Sequence, residues 1–378
     1  MAYKFCNSSH FSTTGSLQFC YLTVPYLSFM KLDAIAQNPL EWLALKSGMV
    51  PTPLGHSHIA FILSKVILEA TDAGIFEALE ANPLPIKQLA KQLKLHEMAL
   101  QSLMNVLASS GYVAYKSQQW ELTKLSRKWM LRSSPDSVAA MMVLDNRVCW
   151  QWMNHLGDFL KTGKGLGFHT ILKEDEWGYY QDAMASAARA QSREVGKRVP
   201  VPKGASQMLD IGGSHGLHAV ALCRKQKSLQ ATIMDLPEAI RWARPILEQE
   251  GMGDQVQHKA GNILEDELPA QQYDLILMSS LSHHFSTSQN MLIAEKIAHA
   301  LKPGGYYVLM DFVRPEPKTD SDLIGSSSDL FFALSSTAGT YTVKEMKRWQ
   351  KDAGLQHHKL IRFFTIPNCV AVIGKKQQ

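Results

Sequence analysis

The stretch Met208–Ala219, "MLDIGGSHGLHA", joins a short apolar run to a glycine-rich turn and then to the start of a helical pattern. From about residue 206 onward, apolar runs such as "QATIMDLP", "YDLILMSS" and "YYVLMDFV" alternate with helical stretches such as "SQNMLIAEKIAHALKPGG", which ends at Gly305. Strands that are buried on both faces are apolar along their whole length. The alternation therefore predicts a doubly wound parallel α/β sheet with the glycine turn after its first strand. The final runs, "HKLIRFFTI" and "NCVAVIGKK", predict a terminal hairpin.

The residues around the glycine turn indicate which ligand it binds. A dinucleotide fingerprint would need glycine at the positions of Ser214 and Leu217, so that motif is excluded. Asp210 precedes the glycines, where it would repel a pyrophosphate but can receive a cationic group. Asp235 ends the second strand, where a carboxylate can accept hydrogen bonds from ribose hydroxyls. A ligand with a ribose, a positive ammonium or sulfonium group and no phosphate is S-adenosylmethionine. The alternative is an ordinary α/β turn with a capping Asp.

The N-terminal part has a different pattern. From about residue 40 to 160 it is helical, and two short helical stretches near residues 84–110 precede the alternating runs "YVAY" and "QWELT". Two helices followed by a hairpin indicate a winged helix. The helix that would enter a DNA groove, "HEMALQSLMNVLAS", contains no Lys or Arg, whereas a phosphate-lined groove requires cations. We therefore predict a dimerisation module and no nucleic-acid partner.

Composition limits the remaining classes of function. The chain has 378 residues, a formal net charge of +5 with scattered Lys and Arg, and five widely spread cysteines without a C-x-x-C pair. This predicts a cytoplasmic protein with reduced thiols. No segment approaches the ~18 apolar residues of a membrane span, so no membrane partner is expected. Residues 1–30, rich in Ser, Thr and aromatic residues, are predicted to be an extension that is disordered or precedes the native start.

Taken in order, the motifs "LDIGGSHGLHAVAL", "IMDLPEAI", "AGNILEDELP", "YDLILMSSLSHHF" and "ALKPGGYYVLMDFV" resemble those of class I S-adenosylmethionine-dependent O-methyltransferases. The resemblance covers about residues 40–378. Within this class, the chain looks like the dimeric caffeate, hydroxyindole and phenazine type. It implies a winged-helix dimerisation domain over residues 31–165 and a Rossmann-like cofactor domain over residues 166–378. It also implies a homodimer that methylates a hydroxyl of a small aromatic or polyketide-like metabolite.

The resemblance assigns cofactor contacts residue by residue. Asp210 and the glycines of the turn match the floor beneath the methionine part, Asp235 the ribose ligand, and Leu236 a residue that lies against the adenine. Asn262 replaces the usual Asp at the adenine amino group, with Ile263 beside it, and its carbonyl can still accept that hydrogen bond. Ser279 and Phe285 replace a frequent Lys and a Trp near the cofactor, and Ser214 replaces a Gly. The glycines of the cofactor set are Gly212, Gly213 and Gly216.

Methyl transfer to a phenol, whose pKa is about 10, is favoured by a nearby base, and histidine suits this role at neutral pH. His283 follows the fourth strand in "SSLSHHF" and matches the catalytic base of the resembled family, and Asp311 matches the carboxylate that orients it. His284 occupies the position of an acidic residue, and Thr340 the position of a second carboxylate, so part of the usual support is missing. The alternative for His283 is a loop histidine with ordinary hydrogen bonds.

A metal site is not expected, because adjacent histidines project in different directions and no third ligand has suitable spacing. His357 and His358 are predicted to lie on an exposed late turn. The acceptor is expected to be planar and mostly apolar, since aromatic and Met side chains cluster in the helical region that the resemblance implies covers it. For any single one of these residues, ordinary interdomain core is the preferred alternative. C- or N-methylation, a non-methylating reaction and a winged-helix regulator that senses S-adenosylmethionine remain as alternatives. The clustered side chains are Trp150, Trp152, Met153, Trp177, Tyr179, Tyr180 and Met184.

Overall fold

The computed structural model describes residues 35–36, 38–315 and 323–378. The predicted extension over residues 1–30 lies outside these ranges. Within them, no helix is both long and apolar enough to cross a membrane.

The winged helix is confirmed in the N-terminal part. Its helices α5 and α6 lead into an antiparallel pair, β1 and β2, and the four elements bury one apolar core that includes Leu89, Met104 and Trp120. The helix without cations, α6, turns Leu100, Met104 and Leu107 into this core. The elements are α1 Pro39–Lys46, α2 Thr52–Leu54, a π-helical turn Gly55–Ile59, α3 Ala60–Asp72, α4 Ile75–Ala78, α5 Ile86–Leu93, α6 Glu97–Ser109, β1 Val113–Lys116, β2 Gln119–Leu122 and α7 Lys124–Trp129.

A group of helices connects the winged helix to the sheet. The longest of them, α11, packs on α8 and also on two helices of the sheet region. The predicted domain boundary between residues 165 and 166 falls between α10 and α11 and stays a prediction. The elements are α8 Ala139–Leu144, a π-helical turn Asp145–Cys149, α9 Trp150–Met153, α10 Leu156–Thr162, a 3-10 turn Phe168–Thr170 and α11 Glu174–Arg198.

The predicted α/β sheet is also confirmed. Seven strands of the described part of the chain form one sheet in the order β5-β4-β3-β6-β7-β9-β8, parallel except for β9, which runs antiparallel to both neighbours. Apolar clusters cover both faces, which explains why the strands are apolar throughout. The elements are β3 Gln207–Ile211, α12 Leu217–Lys225, β4 Gln230–Asp235, α13 Pro237–Glu248, β5 Val256–Ala260, β6 Tyr273–Ser279, α14 Thr287–Ala300, β7 Leu301–Phe312, α15 Leu323–Ser335, α16 Val343–Asp352, β8 Gln356–Arg362 and β9 Cys369–Lys375.

The strand order reverses between β3 and β6, because the chain runs outward through β4 and β5 and then returns to the other side of β3. In doubly wound sheets a crevice opens at this point, outside the carboxyl ends of the strands. Asp210, Asp235 and His283 are all in or just after strands that end there. The topology thus brings together residues up to about seventy positions apart.

Two details of the prediction are wrong. His357 and His358 lie in β8, an exposed edge strand, and not on a turn; His358 stacks on Tyr306 with ring centroids 4.7 Å apart. Helix α14 ends at Ala300, whereas the sequence pattern extended it through Gly305. Pro303 lacks the amide hydrogen that a helix needs, and the segment instead begins β7.

Candidate active site

The glycine turn brings parts of the protein very close to one another. A side chain at Gly216, where φ is +75°, would place its Cβ 2.5 Å from Ile233 Cδ1. At Gly213 the Cβ would lie 2.5 Å from the carboxyl carbon of Asp210, and at Gly212 2.7 Å from Leu281 Cδ2. At Gly212 and Gly216 the positive φ favours glycine, and at Gly213 the carboxyl group of Asp210 leaves no room for a side chain.

Asp210 is a buried acid without a hydrogen-bond partner. Its side chain is 1% exposed, and neither carboxylate oxygen bonds to any described residue. Burial, together with the charge of Asp235, raises the pKa of Asp210 to about 8. A carboxylate in such surroundings is suited to a cationic partner, because an ammonium group would satisfy its oxygens and restore its charge.

Ser214 is held in the left-handed region, at φ +49°, by hydrogen bonds to three elements. Its amide donates to Asp235 Oδ2 over 2.8 Å, its hydroxyl bonds Gln181 Oε1 of α11, and its carbonyl accepts from His258 Nε2 of β5 over 2.7 Å. This backbone conformation is costly for a non-glycine residue and persists only where the surroundings fix it. Ser214, which the sequence presented only as a departure from glycine, therefore joins the turn to β4, β5 and α11.

Asp235 stands at the tip of β4 with both oxygens partly engaged. Oδ1 accepts from the amide of Leu236 and Oδ2 from the amide of Ser214, each over 2.8 Å. Burial raises the pKa of Asp235 to about 6, although both amide hydrogen bonds oppose the rise. Each carboxylate oxygen keeps a further lone pair, so the group can still accept hydrogen bonds from two hydroxyls.

A cavity of about 360 Å³ opens between the glycine turn, the carboxyl ends of the strands and the segments 167–181 and 336–337 that cover them. The predicted cofactor residues divide into two groups. One group lines the cavity and consists of Gly212, Asp235, Leu236, Asn262, Ile263 and Phe285. The other group lies behind the lining and consists of Asp210, Gly213, Gly216 and Ser279; Ser280 and Leu281 line the wall next to Ser279.

His283 and Asp311 form a buried pair. His283 Nδ1 donates to Asp311 Oδ1 over 2.8 Å, and the two residues are 2% and 0% exposed. Asp311 also accepts from the Ser282 hydroxyl over 2.6 Å and from the Phe312 amide over 2.8 Å. Burial alone would raise the pKa of Asp311, but His283 and these hydrogen bonds outweigh it and lower the pKa. The carboxylate is therefore ionised and fixes the orientation of the imidazole ring.

Two further histidines line the cavity beside this pair. The ring of His284 lies 4.2 Å from that of His283 and 4.5 Å from that of His169, between centroids. Burial lowers the pKa of His169 to about 4 and that of His284 well below its usual value, so both rings are neutral. His169 was not predicted, since it lies in a short 3-10 turn with no motif around it. In the described part of the chain, no three His, Cys, Asp or Glu side chains form a metal-binding group.

Helix α15 covers the pair of His283 and Asp311. Phe332 stacks on the His283 ring at 3.8 Å between centroids and an interplanar angle of 27°. One turn earlier, Asp329 accepts from the amide of Thr340 over 2.8 Å and from its hydroxyl over 2.6 Å. The resemblance assigned the family's second carboxylate to the position of Thr340, and in this structure Thr340 anchors helix α15 through Asp329.

Comparison with known protein families gives two matches. Residues 151–356 match the model of the O-methyltransferase domain, and residues 56–132 match that of the O-methyltransferase dimerisation domain. The first match alone covers more than half of the chain.

Individual relatives are more distant. The chain is 21% identical to 3-hydroxy-5-methyl-1-naphthoate 3-O-methyltransferase of Streptomyces sahachiroi over 79% of this chain and 88% of the relative. It is 25% identical to the tetracenomycin polyketide synthesis 8-O-methyl transferase TcmO of Streptomyces glaucescens over 78% of this chain and 88% of that relative. Among solved structures, human N-acetylserotonin methyltransferase in complex with SAM superposes with a TM-score of 0.78 at 18% identity, covering 91% of this chain and all of that one. This likeness confirms the fold.

Proposed function

This chain belongs to the O-methyltransferase family, and on that basis we propose that it methylates a hydroxyl of a small aromatic or polyketide-like metabolite with His283 as general base. It is an enzyme, and its methyl donor is S-adenosylmethionine. The observation that carries the proposal is the buried pair of His283 and Asp311 beside the cavity at the tips of the strands.

The residues present fit the donor. Asp210, buried without a partner, suits the ammonium of the methionine part, and Asp235 inside the cavity suits the two ribose hydroxyls. Leu236, Ile263 and Phe285 offer apolar contacts to the adenine. Asn262 Oδ1 accepts from the backbone amide of Leu264 over 3.1 Å and keeps a second lone pair, so both the oxygen and the NH₂ group of the Asn262 side chain can bond the adenine. We propose these residues as the donor site.

When bound, the donor supplies a methyl group attached to a sulfonium sulfur, and the rest of the donor leaves as a neutral thioether. The protein has to align the acceptor hydroxyl and remove its proton. Because His283 Nδ1 donates to Asp311, the basic atom is Nε2, and it takes the hydroxyl proton as the new oxygen–carbon bond forms. Asp311 stabilises the resulting imidazolium, and Phe332 covers the ring and shields the pair from water.

The acceptor class and the dimer rest on the relatives and on the N-terminal match. Two relatives are named for 3-O-methylation of a hydroxynaphthoate and for 8-O-methylation in tetracenomycin polyketide synthesis, and the aromatic side chains that line the cavity suit a flat acceptor such as a naphthoate. The match to an O-methyltransferase dimerisation domain supports a homodimer that binds a small-molecule substrate. A cytoplasmic location remains part of the proposal.

The test is methyl transfer from labelled S-adenosylmethionine to a panel of naphthols, hydroxyindoles and polyketide phenols, with mass spectrometry to locate the new group. We expect O-methylated product, and we expect His283→Ala to lower the rate by roughly 10²–10⁴ with unchanged donor affinity by calorimetry. A variant with the full rate would contradict the base assignment. Light scattering of the same sample should report a dimer; a monomer at micromolar concentration would contradict the dimer.

A further inference from the structure

A second cavity, of about 400 Å³, lies between the winged helix and the helices that follow it. Helix α3 contributes small and aliphatic side chains to its walls, whereas α8, the π-helical turn Asp145–Cys149, α9, α15 and Tyr112 contribute aromatic and sulfur-containing ones. One carboxylate, that of Asp145, also lines it. The other lining residues are Ser64, Ile67, Leu68, Met142, Cys149, Trp150, Met153 and Phe331.

Asp145 lacks a cationic partner in this cavity. Burial raises its pKa to about 6, and the thiol of Cys149, one helical turn later, donates a hydrogen bond that opposes the rise. The nearby cations are engaged elsewhere. Lys65 pairs with Glu69 and bonds Asn146, and Arg147 pairs with Asp72 and bonds Tyr179. A carboxylate that is largely buried beside only a weak donor favours a ligand that brings a positive charge.

The local backbone directs these side chains inward. Asp145–Cys149 forms a π-helical turn, in which the helix widens by one residue, and such turns are frequent at functional sites. Asp145 and Cys149 both line the cavity from this turn, and Trp150 follows at its end. The widened turn therefore presents an acid, a thiol and an aromatic ring to one space.

The second cavity adjoins the proposed catalytic base through two aromatic residues. Phe331 lines it, and the Phe331 and Phe332 rings meet edge to face at 5.7 Å between centroids. Phe332 in turn stacks on His283. Phe331 and Phe332 therefore lie in sequence between the second cavity and the ring of His283.

We propose that the second cavity binds the end of the acceptor opposite to the methylated hydroxyl, and that Asp145 selects acceptors that carry an alkylammonium group there. This inference rests on the proposed function. The walls support it because ammonium groups are attracted to aromatic faces, and Lys65 Nζ already lies 5.2 Å from the centroid of Trp150. A single carboxylate without a second one beside it suits an organic cation better than a metal ion.

The test uses two matched probes, 6-(aminomethyl)-2-naphthol and 6-(hydroxymethyl)-2-naphthol, which differ only in the group at the far end. Binding is measured at pH 8 by quenching of Trp fluorescence and by calorimetry with the donor present. At this pH Asp145 is mostly ionised and an alkylamine is still protonated. We expect the wild-type enzyme to prefer the amine by roughly tenfold or more, and Asp145→Asn to reduce the preference below about twofold.

The matched control is Asp158→Asn, which removes one negative charge from the exposed face of α10. It should keep the full preference for the amine. Unchanged donor affinity shows that a variant is folded, and Asp145→Ser replaces Asp145→Asn if the latter does not bind the donor. An equal preference for the amine probe in the wild-type enzyme and in the Asp145 variant would overturn the inference, and so would the absence of binding of either naphthol.

Methyl transfer to the neutral probe separates this inference from the proposed function. Transfer without an amine preference in the wild-type enzyme would leave the methyltransferase assignment intact and refute the role of Asp145. An amine preference that disappears in Asp145→Asn, without transfer to either probe, would support the subsite and contradict the proposed reaction.

Discussion

The replacement Asp210→Asn tests whether a buried, unpaired acid receives the ammonium of the donor. The pKa of Asp210 is about 8 in the ligand-free protein, whereas contact with an ammonium requires the carboxylate. Binding below pH 8 therefore releases a proton, and donor affinity should rise with pH. The α-amino group of the donor itself titrates near 7.7–8.0, so the affinity passes through a maximum close to pH 8. From pH 6.5 to this maximum the two titrations together predict a rise of roughly eightfold.

The same acid should destabilise the ligand-free protein. Its pKa in an unfolded chain is near 3.8, so the folded state binds more protons and its stability decreases as the pH rises from about 4 to about 8. Because pH 7 lies about 3 units above the unfolded pKa, this destabilisation has reached about 4 kcal/mol at that pH. Asn has nearly the same shape as Asp but does not ionise, so it does not cause this loss of stability as the pH rises. We therefore expect Asp210→Asn to weaken donor binding at pH 8 and yet to raise the unfolding temperature of the ligand-free protein.

Calorimetry at pH 6.5 in two buffers of different ionisation enthalpy measures the proton released per donor bound. About one proton is expected for the wild-type protein, and no more than about a quarter of a proton, from Asp235, for the variant. Thermal unfolding at pH 5.5 and pH 8 provides the stability comparison. Equal proton release by the two proteins, or a lower unfolding temperature of the variant at pH 8, would refute the reasoning.

Three other predictions concern single contacts. Asp311→Asn should lower kcat by about 10²-fold or more without changing donor affinity, because it allows the wrong tautomer of the base; unaltered steady-state kinetics would contradict this. His258→Ala should weaken donor binding several-fold with little change in kcat, since it frees the carbonyl of Ser214; equal affinity in a titration would show that the turn does not need it. Burial raises the pKa of Glu194, but hydrogen bonds from backbone amides and from Arg198 outweigh burial and lower the pKa to about 2. The ionised Glu194 therefore stabilises the fold above about pH 4.5, and this stabilisation is lost as the pH falls toward 2. Glu194→Gln should therefore flatten the acid limb of a pH–unfolding profile by about 2–3 kcal/mol, and an unchanged limb would disprove the contribution.

The sheet and the residues at its strand tips were predictable because their signals are local. A strand buried on both faces is apolar along its length, and parallel strands bring their carboxyl ends to one edge. Asp210, Asp235, His283 and Asp311 each stand at the end of such a run, so their proximity followed from the topology. The pair of His283 and Asp311 has the predicted hydrogen bond, whereas its catalytic role remains to be measured.

The residues that sequence reasoning missed are placed by packing between distant segments. His169 reaches the cavity from a short turn and Gln181 from a long helix, and His258 reaches the glycine turn from an edge strand. None of them belongs to a motif, and their spacing along the chain carries no information about the contacts they make. Asp145 was missed for a related reason, since a π-helical turn has no reliable sequence signature.

The close approach of Gly213 to the unpaired carboxylate of Asp210 has a consequence for the life of the protein in the cell. In the ligand-free protein this acid lowers the stability as the pH rises toward 8, and a bound cationic metabolite offsets the loss, so molecules without methyl donor open more often. Proteases degrade chains through such openings. Abundance of the enzyme would then follow the supply of methyl donor, without a separate regulatory domain or a change in gene expression.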